Sequence, residues 1–164
     1  MPLIESVEDL ARVLPVFLVR CGVAAVCGGM IGIERELKDK PAGFRTNILI
    51  CLGASIYMAI GLLVPADQVD PTRIAAQVVT GIGFIGAGCI IQSGQHIRGL
   101  TTAATIWVVA AIGIVSGAGY PVLAFIASLM VIITLAALRR VESRFFEAPR
   151  RDDEHRAESR APRA

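Results

Sequence analysis

Three sets of residues in this 164-residue chain have types and spacings that could do chemistry. The first is charged and hydroxylic: Glu34, Arg35 and Glu36, then Arg45 and Thr46, then Arg98, Thr101 and Thr102. Carboxylates and guanidiniums in such groups form ion pairs or hold an anion, and a threonine ahead of an apolar run can cap a helix. The second is the run Gly81-Ile82-Gly83-Phe84-Ile85-Gly86-Ala87-Gly88, which contains a GxGxxG. The third is Arg20, a lone charge within an apolar stretch.

Most chemistries drop out on context. A dinucleotide fingerprint needs a preceding strand, a following helix and an acid about 20 residues on, yet Gly99 to Gly119 contains no acid. Cys21, Cys27, Cys51 and Cys89 all lie inside apolar runs and lack the close Cys/His pairing of a zinc site. They read as small buried hydrophobes. His96 and His155 have no nucleophile–base constellation around them. The residues therefore imply no enzyme, no cofactor, no metal and no nucleic-acid partner.

The elements that must position these residues are apolar helices. Hydrophobic residues make up 54% of the chain and mean hydropathy is +0.64. Charged residues make up 18%, against about 25% in soluble domains. Between Thr46 and Leu138 the charges are Asp67, Asp70, Arg73 and Arg98 alone. That leaves too little polar surface to cover a soluble globule. A spanning helix needs about 20 apolar residues, and five runs qualify: 13–33, 47–64, 74–91, 100–116 and 121–138. No period-two alternation supports strands, and an open sheet could not satisfy its backbone in lipid. The acidic segment Glu5-Ser6-Val7-Glu8-Asp9 argues against a signal peptide. The expectation is a bundle of five transmembrane helices over residues 1–140, with a charged tail, 141–164, that begins as a short helical continuation and then becomes disordered.

Lys/Arg bias sets orientation. Arg35, Lys38, Lys40 and Arg45 fill the first connector, Arg98 the third, and the tail from Arg139 is arginine-rich. Five spans put these segments on one side, opposite Arg12 and Arg73. The N-terminus is expected outside and the C-terminus in the cytoplasm.

Within this frame the glycines take on a packing role. At about 100° per residue Gly81 and Gly88 share one face while Gly83 and Gly86 lie roughly opposite. Small residues let helix backbones approach in lipid, so the third helix is expected between two neighbours. The alternative is a locally unwound segment whose carbonyls line a site. Gly28 and Gly32 form a GxxxG in the first helix. Arg20 would lie about 10 Å deep at about 1.5 Å per residue. There it either snorkels to the headgroups or faces a polar cavity, since an unpaired charge costs about 2.5 kcal/mol or more.

Glu34 and Lys38 make an i,i+4 pair, Pro41 and Gly43 turn the chain, Thr46 is placed to cap the second helix and Thr101 or Thr102 the fourth. Two helix N-termini, each beside an arginine, would attract an anion. Glu34 or Glu36 could fill that site internally, or a phosphate or lipid headgroup could fill it from outside. One shared polar site built from connectors one and three follows as an expectation.

The motifs Gly28–Glu36, Pro41–Thr46, Gly81–Gly88 and Arg98–Trp107 occur in an order that resembles the MgtC/SapB membrane-domain family, over about Leu10 to Leu138. The resemblance implies a multi-pass protein of the bacterial inner membrane, linked to magnesium limitation, acid or intracellular survival (virulence), and inhibition of the F-type ATP synthase. Longer members carry a C-terminal ACT-like domain, which this sequence, ending at Ala164, is expected to lack. The implied partners are the lipid bilayer, another membrane protein and a second copy of the chain. The favoured expectation is a non-enzymatic modulator of another membrane protein. The rival is a small magnesium or other ion transporter, and a lipid- or phosphate-directed enzyme ranks last.

Overall fold

The structure is a computed structural model that describes residues 7–64, 70–93 and 96–145. Among these it has five helices: α1 (Val7–Glu36), α2 (Phe44–Gly61), α3 (Pro71–Gly88), α4 (Leu100–Gly117) and α5 (Pro121–Phe145). Between α3 and α4 lies an antiparallel ribbon of β1 (Ile91–Ser93) and β2 (His96–Arg98), with Ile91 opposite Arg98 and Ser93 opposite His96. The chain divides into a unit ending at Leu129, with α1 to α4 and the start of α5, and a second unit from Met130. The second unit's described part is the remainder of α5, whose outer positions Met130, Ile133 and Leu138 are exposed. The expected helical continuation of the tail is present to Phe145, and the expected disorder lies outside the described residues.

The first unit is a membrane-type bundle. In it Asp9–Glu36, α2 and α4 are long and apolar enough to cross a membrane, as is Pro121–Glu142 of α5, which runs on into the second unit. Large apolar side chains cover the outside, among them Leu49, Phe84, Trp107 and Leu123, as suits lipid rather than water. The interior is made of small and β-branched residues: Ala24, Cys27, Ile31, Cys51, Ile106 and Val109 are fully buried or nearly so.

α2 is the central element, because glycines on both neighbours remove the side chains that would hold it off. A Cβ at Gly28 of α1 would lie 2.8 Å from Cys51 Cβ, and one at Gly32 would lie 2.7 Å from Phe44 Cα. On the other side, Gly113 and Gly117 of α4 rest on the Cys51 and Ser55 carbonyls. Two GxxxG faces thus clasp one helix by backbone contact.

Helix ends differ from the expectation. Thr46 does not cap α2, nor Thr101 or Thr102 α4; all three lie within first turns, and the N-caps are Gly43 and Gly99. α1 runs on to Glu36 and stops through Asp39, whose φ of 50° is left-handed, a conformation that Asp tolerates. α3 ends at Gly88, not at 91, and the polar residues that follow form the ribbon. Gly99, at φ 91°, lies against the Cys89 carbonyl. Only glycine fits that turn from β2 into α4.

Asp70 caps α3, its Oδ1 accepting from Thr72 N at 2.8 Å, with Pro71 opening the helix. Those hydrogen bonds from Thr72, first the hydroxyl and then the backbone N–H, hold the Asp70 carboxyl below its ordinary range. α3 is continuous, with no unwound segment. Within this chain it touches α4 and, less extensively, α2, but its glycines do not carry both contacts. A Cβ at Gly86 would lie 3.7 Å from Ala103 of α4, whereas nothing lies within 4 Å of one at Gly81, Gly83 or Gly88. The two-sided packing expected of this glycine run is therefore met on one side.

Candidate functional site

Polar chemistry gathers where α1 hands over to α2. Glu34 takes Arg35 through Nε at 2.6 Å and also pairs with Lys38. Both partners belong to the same helix end. Arg35 is 4% exposed, because it continues the buried stripe of Ala24, Cys27, Gly28 and Ile31 along α1 at helical spacing. A guanidinium so placed needs its neighbouring carboxylate to offset the cost of burial.

Glu36 has a different task. It reaches forward eight residues, and its Oε2 accepts from Phe44 N at 2.9 Å. A carboxylate on the first N–H of α2 answers both the unpaired donor and the positive helix end. Asn47, fully buried, completes the turn by donating from Nδ2 to the Ala42 and Gly43 carbonyls at 2.9 and 2.8 Å. Among the described residues, Arg35 Nη1 and Asn47 Oδ1 are buried without a hydrogen-bond partner.

Arg45 and Arg98 are exposed and form no ion pair with Glu34 or Glu36. Arg98 ends the ribbon opposite Ile91. Thr101 lends its carbonyl to the Thr105 hydroxyl at 2.7 Å, and Thr102 is buried. The shared polar site expected from connectors one and three is thus two arrangements: Glu34 serves α1 and Glu36 serves α2, and although Arg45 lines a cavity together with Glu36, neither Arg45 nor Arg98 pairs with a carboxylate of connector one. The physical reason is reach. Lys38 and Arg35 sit within one turn of Glu34, so they win over side chains from another connector.

At the far end of α4, Arg20 Nη1 donates to the Gly117 carbonyl at 3.0 Å. The Arg20 carbonyl accepts from Ser116 Oγ at 2.7 Å and from Ser55 Oγ at 3.5 Å. A cation on the last carbonyls of a helix meets the negative end of its dipole. Arg20 therefore ties α1 to α2 and α4. Sequence reasoning flagged Arg20 but missed Asn47, Ser55 and Ser116. It also missed the Gly113/Gly117 pair, although Gly113-Ile114-Val115-Ser116-Gly117 repeats the GxxxG form of Gly28 and Gly32.

A groove of about 810 Å³ runs between α2 and α3. Leu49, Gly53 and Tyr57 form one wall, and Val78, Gly81 and Ile85 the other. Arg45 stands at one end and Arg73 at the other.

Comparison with known proteins places this architecture. The model of the MgtC family matches residues 21–144. The chain is 45% identical over 135 residues to "Putative magnesium transporter YhiD" of Escherichia coli (strain K12), covering 78% of this chain and 63% of that protein. It is 46% identical over 129 residues to "Protein MgtC" of Brucella abortus (strain 2308), covering 78% and 54%. It is 38% identical over 133 residues to "Protein MgtC" of Salmonella typhimurium (strain 14028s / SGSC 2262), covering 81% and 57%. The chain thus spans somewhat more than half the length of these relatives. No solved structure matches. With the family model covering most of the bundle and relatives this similar, the chain belongs to the MgtC family and is a multi-pass membrane protein.

Proposed function

We propose that this protein is a non-enzymatic modulator that acts on another integral membrane protein by helix–helix contact, from the bacterial inner membrane, with its N-terminus outside and its C-terminus in the cytoplasm. The observation that carries the reading is the outer face of α3. Ala76, Thr80, Gly83 and Ala87 follow one another at helical spacing, and all four are exposed. A small-residue stripe of this kind gives a partner helix backbone-level approach in lipid, where packing replaces the hydrophobic drive. The GxxxG faces of α1 and α4, Gly28/Gly32 and Gly113/Gly117, are taken up by α2, whereas this one is open to a second protein or a second copy. The family resemblance names the F-type ATP synthase as a candidate target.

The test is affinity purification from native membranes of the parent and of Gly83→Leu. A membrane protein should co-purify with the parent and be lost from the variant, while both variants unfold at the same temperature in detergent. Transport is the rival, and the name of the Escherichia coli relative motivates it. Saturable magnesium flux by the purified protein in liposomes would overturn the modulator reading in its favour.

A further inference from the structure

We propose that the groove between α2 and α3 is a binding site for one anionic phospholipid, with an acyl chain along the groove and the phosphate at Arg45. The walls are apolar, and both ends carry an arginine. Not one lining residue is an acid, so the groove complements a molecule that is negative at an end and apolar along its length. From Thr46 to Tyr57 the α2 wall measures about 17 Å at about 1.5 Å per residue. That is close to one leaflet of a bilayer core about 30 Å thick. A single acyl chain fits this span, whereas a crossing helix needs about twice the length.

The two arginine ends are not equivalent. At the α3 end, Pro71 has no N–H, Thr72 N is bound by Asp70 Oδ1, and Arg73 N donates to the Asp70 carbonyl at 3.0 Å. The donors there are spent, and the Asp70 carboxylate faces Arg73. At the α2 end, Glu36 takes Phe44 N. Among the described residues nothing takes the backbone N–H of Arg45 or Thr46. These two amides, the Thr46 hydroxyl and the exposed Arg45 guanidinium form a donor group for a phosphate at a helix start. Glu36 is held at Phe44 and does not line the groove.

The experiment is native mass spectrometry of the full chain from nanodiscs of phosphatidylglycerol mixed with phosphatidylethanolamine. One phosphatidylglycerol should stay bound per chain. Arg45→Gln should lose about tenfold of the preference for phosphatidylglycerol, the effect of one charge-assisted contact, while Arg73→Gln keeps it. Gly53→Phe, which puts a ring into the groove, should lose the lipid altogether. Arg45→Gln keeps the walls intact and remains informative if Gly53→Phe does not fold. Retention of lipid by Gly53→Phe, or equal preference in Arg45→Gln and the parent, overturns the proposal. So does loss in Arg73→Gln instead. Displacement of the lipid by inorganic phosphate alone would mean a free-anion site. Cross-linking of a Gly53→Cys variant to another polypeptide would mean a protein interface.

Discussion

Arg20 reaches across the bundle to the end of α4, where its Nη1 donates to the Gly117 carbonyl at 3.0 Å. The bond joins a cation to the negative end of a helix and spans the first and fourth helices of the chain. An arginine in an apolar run would otherwise cost free energy; here its charge is used as a cap. Arg20→Met should lower stability in detergent by about 1.5–3 kcal/mol, the range for hydrogen bonds to charged groups, and Arg20→Lys by less. Thermal unfolding of the purified variants measures this. An Arg20→Met protein as stable as the parent would show that the cap contributes nothing net of desolvation.

Gly117 should tolerate no side chain. Its missing Cβ is where the Ser55 carbonyl passes, so Gly117→Leu must push α2 and α4 apart, at a cost of about 1–3 kcal/mol or more. Gly83→Leu meets open space and should change stability by less than about 0.5 kcal/mol. Paired melting curves decide the matter, and equal losses in both variants would contradict the packing described for α2.

Much of this bundle is legible in the sequence. Runs of apolar residues give the helices, since nothing else in lipid satisfies the backbone. Gly28 and Gly32 announce a packing face, and the structure has it. What the sequence hides is which of several similar features meets which. Gly83 and Gly117 are both glycines in apolar helices, yet one is open and the other clasped, because contact depends on how far each helix is rotated. Glu36 and Glu34 stand two residues apart, which turns them to different sides of α1. One therefore caps α2 and the other stays with its own helix. Asn47 looks like an ordinary polar residue in a helix start, and only the fold places the Ala42 and Gly43 carbonyls within its reach. The ribbon is likewise obscured, because the third apolar run continues without a break to Ile91, the first residue of its first strand.

Glu36 and Arg45 should behave as independent residues. Glu36→Ala removes the carboxylate from Phe44 N and should cost about 1 kcal/mol, as the loss of a helix cap does. Glu36→Gln keeps an oxygen there and should cost less. Because Glu36 bonds a backbone N–H and not the arginine, Glu36→Arg should not rescue Arg45→Glu. A double-mutant cycle on thermal stability should be additive within about 0.5 kcal/mol. Recovery in the double variant would restore the shared ion-pair site that the structure divides in two.

The last prediction concerns whether α3 crosses the bilayer. Thr72, Arg73, Gln77, Thr80 and four glycines are among its residues, and it is absent from the helices that qualify as spans. Two observations nevertheless argue for a crossing. It packs on α4 through Gly86 and Ala103, and it shares the lengthwise groove with α2. A helix of 18 residues rises about 27 Å at about 1.5 Å per residue, close to the about 30 Å core. Thr72 and Arg73 fall in its first turn, near Asp70, where an interface would receive them, and the Thr80 hydroxyl in mid-helix is satisfied by the Ala76 carbonyl at 2.9 Å. Reporter fusions after Val64 and after Ile97 should therefore signal from opposite sides of the membrane. Fusions after Ile97 and after Arg144 should signal from the same side, since α4 and α5 together return the chain. If Val64 and Ile97 report one side, α3 lies along the surface, the chain has four spans, and its two termini share a side.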